Sequence, residues 1–83
     1  MNVTVRYFAS IREALGSVES IAVGPEATVA SVRDALIARG GAHAEVLARG
    51  RSLRCALDQV LCDETAAVSD RAEVAFFPPV TGG

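Results

Sequence analysis

The period of the apolar positions changes along the chain, and each change marks an element. Val3, Val5 and Tyr7 alternate with Asn2, Thr4 and Arg6, the two-residue period of a strand with one buried face. Ala9 to Leu15 reads as a short helix with Ile11 and Leu15 four apart on one side, closed by Gly16. Ile21 and Val23 alternate with Ser20 and Ala22 as a second strand that stops at Gly24-Pro25. Thr28 then predicts an N-cap, and Val29 to Arg39 carries Val29, Val32, Leu36 and Ile37 on one helical stripe. Gly40-Gly41 ends that helix, and Ala44 to Arg49 carries a weaker helical pattern. After Gly50 the period of two returns: Leu53, Cys55 and Leu57 alternate with Arg54, Ala56 and Asp58. Asp58-Gln59 predicts a tight turn into Val60-Leu61-Cys62. Asp63 to Ala72 is polar and irregular, with Val68 as its anchor in the core, and Glu73 to Phe77 is the last strand.

This order places two strands before one main helix and three short strands after it, an α+β arrangement. The first and last strands must both bury an apolar face beneath the same helix, which makes them neighbours. A parallel pairing of the two gives a ubiquitin-like β-grasp, a mixed sheet of about five strands packed on one main helix. Residues 1–77 form that domain and 78–83 an extended tail. Parity along the last strand turns Val74 and Phe76 toward the helix and Ala75 and Phe77 away from it. Phe77 therefore stands on the open side of the sheet, directly before Pro78 and Pro79.

Composition narrows the chemistry. A chain of 83 residues is one domain that buries roughly 60% of its unfolded surface. Of the 51% hydrophobic residues, fifteen are alanine, so the bulky core is modest. A net charge of −2 with a pI near 5.2 lacks the basic face that nucleic acid requires. All eight basic residues are arginine, and without lysine the protein cannot build isopeptide-linked chains on its own side chains. No basic leader or long apolar run is present, so neither secretion nor a membrane is expected, and the cytoplasm is the expected compartment. Cys55 and Cys62 stand in no metal-ligand or redox spacing; the chemical reading makes one a sulfur carrier or a disulfide partner, and the favoured reading makes them small apolar residues packed in or near the sheet. His43 follows Gly40-Gly41-Ala42 and reads as a surface residue. No pair of carboxylates is spaced for acid–base work, and no glycine-rich phosphate loop or nucleophile elbow occurs.

The chemistry lies instead at Phe76-Phe77-Pro78-Pro79-Val80-Thr81-Gly82-Gly83. Two glycines offer a carboxylate on a tail with no β-carbon, slim enough to thread a narrow channel. Pro78 and Pro79 hold the chain before them extended. An idle terminus is usually polar, whereas this one follows an apolar run. Phe77 with Pro78, Pro79 and Val80 reads as a docking patch, since aromatic anchors are favoured at the centres of interfaces.

The ending Glu73-Val74-Ala75-Phe76-Phe77-Pro78-Pro79-Val80-Thr81-Gly82-Gly83 resembles the MoaD family, the small sulfur-carrying subunits of molybdopterin synthase. The opening Val5-Arg6-Tyr7-Phe8-Ala9-Ser10-Ile11-Arg12-Glu13 resembles that family's first strand and helix. The chain departs from the family at Ser69-Asp70-Arg71-Ala72, where relatives often carry a glycine before the last strand. The resemblance implies a β-grasp fold whose terminal glycine carries sulfur. A carboxylate with a pKa of about 3.3–3.7 is ionised at neutral pH and resists nucleophilic attack, so it must be activated. A ubiquitin-activating-like adenylyltransferase with ATP and Mg²⁺ would form an acyl-adenylate at Gly83, and a sulfur donor would convert it to a thiocarboxylate. No cofactor would be bound by the carrier itself. The tail would then enter the large subunit of molybdopterin synthase, with Thr81 and Gly82 in its channel, and donate sulfur to a cyclic pyranopterin precursor. The family suggests a heterotetramer of two large and two small subunits. A sulfur carrier of the thiamine pathway and a ubiquitin-like protein modifier share the slim tail and remain alternatives, as does a module whose tail serves only as a plug.

Overall fold

The computed structural model describes residues 1–79; Val80, Thr81, Gly82 and Gly83 lie outside the described residues. The strands are β1 (Asn2–Tyr7), β2 (Val18–Ala22), β3 (Arg54–Leu57), β4 (Val60–Cys62) and β5 (Glu73–Phe77). The helices are α1 (Ala9–Leu15), α2 (Val29–Ile37) and α3 (Gly41–Val46). The strands form one mixed sheet in the order β2-β1-β5-β3-β4. β1 and β5 are parallel, with Val5 opposite Val74 and Tyr7 opposite Phe76. Every other strand pair is antiparallel. The chain therefore has the expected α+β, ubiquitin-like β-grasp fold.

The alternation read from the sequence is the burial pattern. Val3, Val5 and Tyr7 of β1, Val74 and Phe76 of β5, and Val29, Val32 and Leu36 of α2 are all buried in one core. Val68 joins them from the irregular segment. Thr28 caps α2 by accepting from the Ser31 amide, while Ser31 Oγ accepts from the Thr28 amide in return. This reciprocal pair satisfies two otherwise orphaned donors. The turn between β3 and β4 holds Asp58 at φ 49° and Gln59 at φ 70°, the left-handed pair that matches hairpin twist.

Some boundaries differ from the expectation. β2 begins at Val18 because its ladder to β1 runs from Asn2–Ala22 to Arg6–Val18. α2 stops at Ile37 because Arg39 and Gly40 turn tightly onto the carbonyls of Leu36 and Ile37. Gly40 (φ 76°) and Gly41 (φ 55°) then start α3 three residues earlier than its pattern indicated. α3 buries no residue of its own, which is why its stripe is faint; the buried Leu47 just after it supplies the anchor. In the turn Ser69-Asp70-Arg71-Ala72, Arg71 occupies the left-handed region at φ 65°. The turn is held by the Arg71 amide on the Asn2 carbonyl, at 2.7 Å, and by the Asn2 amide on Asp70 Oδ1, at 3.0 Å.

Two polar clusters tie the short helices to the sheet. Arg33 on α2 is buried, yet its donors are placed: Nε donates to the Leu47 carbonyl (2.7 Å), Nη1 to Glu64 (3.0 Å) and Nη2 to the carbonyls of Ala48 and Arg51. It pins the segment after α3 against the segment after β4. The second cluster centres on Glu19 of β2, which accepts from the buried Tyr7 hydroxyl at 2.6 Å, from His43 Nε2 at 2.7 Å and from Arg39. His43 is thus half-buried and partnered, not the free surface residue that its sequence context suggested. Burial pushes the Tyr7 phenol up, and the adjacent Glu19 carboxylate adds to that shift. Burial pushes Glu19 up as well, but the bonds from Tyr7, His43 and Arg39 outweigh it and hold this carboxyl below its ordinary value.

Candidate functional site: the open face of the sheet and the end of β5

The buried residues of α1 and α2 join the core on one face of the sheet, and among the described residues no helix covers the other face. Register arranges its side chains in rows. Val18, Arg6, Ala75, Ala56 and Leu61 form one row across all the strands. Its middle is an alanine floor: Ala75 and Ala56 are only 7% and 8% exposed, low between larger neighbours. Val18 and Leu61 stand at its two edges, 52% and 62% exposed. Small residues flanked by exposed apolar ones let another surface approach the sheet closely and find apolar contacts at its rim.

The second row lies where β5 ends. Arg54 of β3 is the register partner of Phe77, and on the other side the Phe8 amide donates to the Phe76 carbonyl at 3.3 Å. Parity thus sends Phe77 and Phe8 to the same open side. Their rings meet edge to face, with centroids 6.4 Å apart and planes at 87°, a preferred geometry for aromatic quadrupoles. Phe8 remains 44% exposed and Phe77 is half-buried. Phe77 therefore faces the side the sequence indicated, but it leans on a neighbour instead of standing alone. Pro78 is half-buried and Pro79 exposed. The remaining residues singled out in the tail, Val80, Thr81, Gly82 and Gly83, are outside the described residues.

Sequence reasoning missed Phe8, Val18, Arg54 and Leu61 as members of this surface. Phe8 had a usable signal, since it follows Tyr7 in an alternating strand and must face the opposite way. The others needed the register of strands distant in sequence. Charge on the face is sparse: Arg6 pairs with Glu73 at 3.5 Å, and Arg54 stands exposed beside Phe77. A partner that covered the face would meet an apolar centre with an arginine at the mouth of the tail.

Together, the grasp of one main helix by a mixed sheet, the face left uncovered among the described residues and the aromatic pair at the end of β5 define a ubiquitin-like domain. The chain belongs to the ThiS family, which matches residues 5–83. It is 41% identical over 80 residues to the molybdopterin synthase sulfur carrier subunit of Haemophilus influenzae, covering 95% of this chain and 96% of that one. Among solved structures, the small archaeal modifier protein 1 of Haloferax volcanii is similar with a TM-score of 0.79 and 25% identity, covering 95% and 98% of the two chains. The complex of subunits 1 and 2 of the molybdopterin-converting factor from Helicobacter pylori contains a similar chain, with a TM-score of 0.69, 26% identity and full coverage of both.

Proposed function

We propose that this protein is the sulfur-carrier subunit of a molybdopterin synthase and that the carboxyl group of Gly83 carries the sulfur. The observation that carries this reading is the near full-length similarity to a sulfur carrier of that enzyme, joined to a fold whose last strand ends at Phe77 beside the exposed Phe8. In this scheme the chemistry is carried at the terminus and completed on partners. A ubiquitin-activating-like adenylyltransferase would use ATP and Mg²⁺ to convert the Gly83 carboxylate to an acyl-adenylate, releasing pyrophosphate. A sulfur donor then displaces AMP and leaves a thiocarboxylate. The large subunit of the synthase receives the charged tail and passes its sulfur to the cyclic pyranopterin precursor.

Phe77, Pro78, Pro79 and Val80, with Phe8 behind Phe77, would supply the docking contacts in this scheme, while Thr81 and Gly82 would run into the partner's channel. The Helicobacter pylori complex of two converting-factor subunits supports a large-subunit partner. Activating enzyme and large subunit would use the same face and so bind in turn. Deleting Gly83, or adding one residue after it, should abolish sulfur transfer in a reconstituted system while the unfolding midpoint stays unchanged. Normal transfer by either variant would refute the reading. A second reading, attachment of Gly83 to lysines of other proteins, is favoured by the likeness to an archaeal modifier protein. Recovery of Gly-Gly remnants on target lysines would establish it.

A further inference from the structure

Cys55 and Cys62 lie on the core-facing side of the β3–β4 hairpin, away from the face that presents the tail. The two-residue turn at Asp58-Gln59 makes them register partners, and their sulfurs are 3.8 Å apart with both thiols free. Directly opposed residues of an antiparallel pair hold their Cα atoms about 4.5–5.5 Å apart, inside the range of about 4.4–6.8 Å that a disulfide spans. Closing the sulfurs to bonding distance asks for a small movement. β4 can supply it, being a three-residue strand at the edge of the sheet with a neighbour on one side alone. The two thiols also differ in environment: Cys55 is buried and Cys62 half-exposed. A surface cavity of about 220 Å³, lined by Leu53, Arg54, Cys55, Cys62, Asp63 and Glu64, opens onto both.

We infer that Cys55 and Cys62 form an oxidisable dithiol that hydroperoxides convert to an intramolecular disulfide, with Cys62 as the reacting thiol and Cys55 as the resolving one. The Cys62 thiolate attacks the terminal oxygen of a hydroperoxide entering the cavity. The O–O bond breaks, the alcohol leaves with a proton from solvent, and Cys62 becomes a sulfenic acid. The Cys55 sulfur then attacks the Cys62 sulfur, the S–O bond breaks and water leaves with the Cys55 proton. Two thiols are oxidised by two electrons, and the peroxide is reduced to alcohol and water. The order of roles follows from burial. Cys55 is pushed up to about 12, first by burial and then by its contact with Cys62 and the nearby carboxylates of Glu64 and Asp63, so it is a poor initial nucleophile. Its sulfur is nevertheless in place to resolve the sulfenic acid across the hairpin.

The test uses the full chain, reduced, freed of reductant and exposed to hydrogen peroxide, then denatured and alkylated. Both cysteines fall in one tryptic peptide, 55–71, because no arginine or lysine lies between Arg54 and Arg71. The expected product is that peptide two hydrogens lighter and closed to alkylation. Cleavage before Asp58 should leave its halves joined until a reductant separates them. Cys55→Ser should stop at a sulfenic acid on residue 62 that dimedone traps, and Cys62→Ser should leave Cys55 unreacted at the same exposure. The wild-type linkage map stands without the variants if either folds poorly. Two alkylated thiols, a disulfide between chains, or a sulfinic acid at Cys62 with Cys55 still free would each overturn the assignment.

Discussion

Phe77→Ala separates docking from folding, and the structure sets the size of both effects. Phe77 is half-buried and touches Phe8 edge to face. Full burial of a phenylalanine is worth about 1.5–3 kcal/mol, so half of it is about 1 kcal/mol, and the aromatic pair adds about 0.5–1 kcal/mol. Truncation leaves no closed cavity, because the ring stands on an open face. The expected loss is therefore about 1.5 kcal/mol, a fall of roughly 6–12 °C in Tm for a domain of this size. Phe76, fully buried on the other side of the same strand, should cost about 3–5 kcal/mol when cut to alanine. Binding reverses the ranking of Phe77. If it anchors the interface, its loss should cost at least about 2 kcal/mol, roughly a thirtyfold rise in Kd for the large subunit. Urea unfolding and titration calorimetry on the same preparations measure the two numbers. A stability loss equal to that of Phe76→Ala, with unchanged affinity, would place Phe77 in the core and refute the docking argument.

Two further predictions concern the polar clusters. Glu19 has a folded-state pKa below its ordinary value, so the stability it contributes is present above about pH 4.3 and is lost as pH falls through the lower folded value. The difference in urea midpoint between wild type and Glu19→Gln should shrink as pH drops from 5 toward 3, and parallel curves would show that the Tyr7–Glu19–His43–Arg39 cluster does not hold the carboxylate ionised. Arg33→Met should cost about 3 kcal/mol, because it removes the side-chain donor from the carbonyls of Leu47 and Arg51, one of the two donors at the Ala48 carbonyl, and one of the two arginines paired with Glu64. Arg33→Lys should recover little, since one ammonium cannot reproduce a planar fork, and full recovery by lysine would show that charge alone matters there.

The parts of the fold that follow from local rules were legible in the sequence. Period two placed β1, β3 and β5, Thr28 announced the start of α2, and Asp58-Gln59 announced the hairpin. The adjacency of β1 and β5 followed from the need of both strands to bury a face beneath one helix, whereas their parallel sense did not follow from periodicity. Contacts between residues distant in sequence were not legible. His43 looked free because its carboxylate partner, Glu19, lies on another strand, and α3 was displaced because its anchor, Leu47, follows it. Cys55 and Cys62, seven apart, read as packing residues ahead of a disulfide pair. Yet the predicted turn at 58–59 already implied their pairing, since each stands three positions from it. The tail proposal rests on residue types in order, whereas the breadth of the uncovered face needed the register of Val18 and Leu61.

Mass spectrometry tests the central claim most directly, on the intact protein and its C-terminal peptide, purified from cells that retain the activating partner. The account predicts replacement of one terminal oxygen by sulfur, localised to Gly82-Gly83 and so distinguished from oxidation of Met1. A bare carboxylate together with Gly-Gly remnants on lysines of other proteins would contradict it.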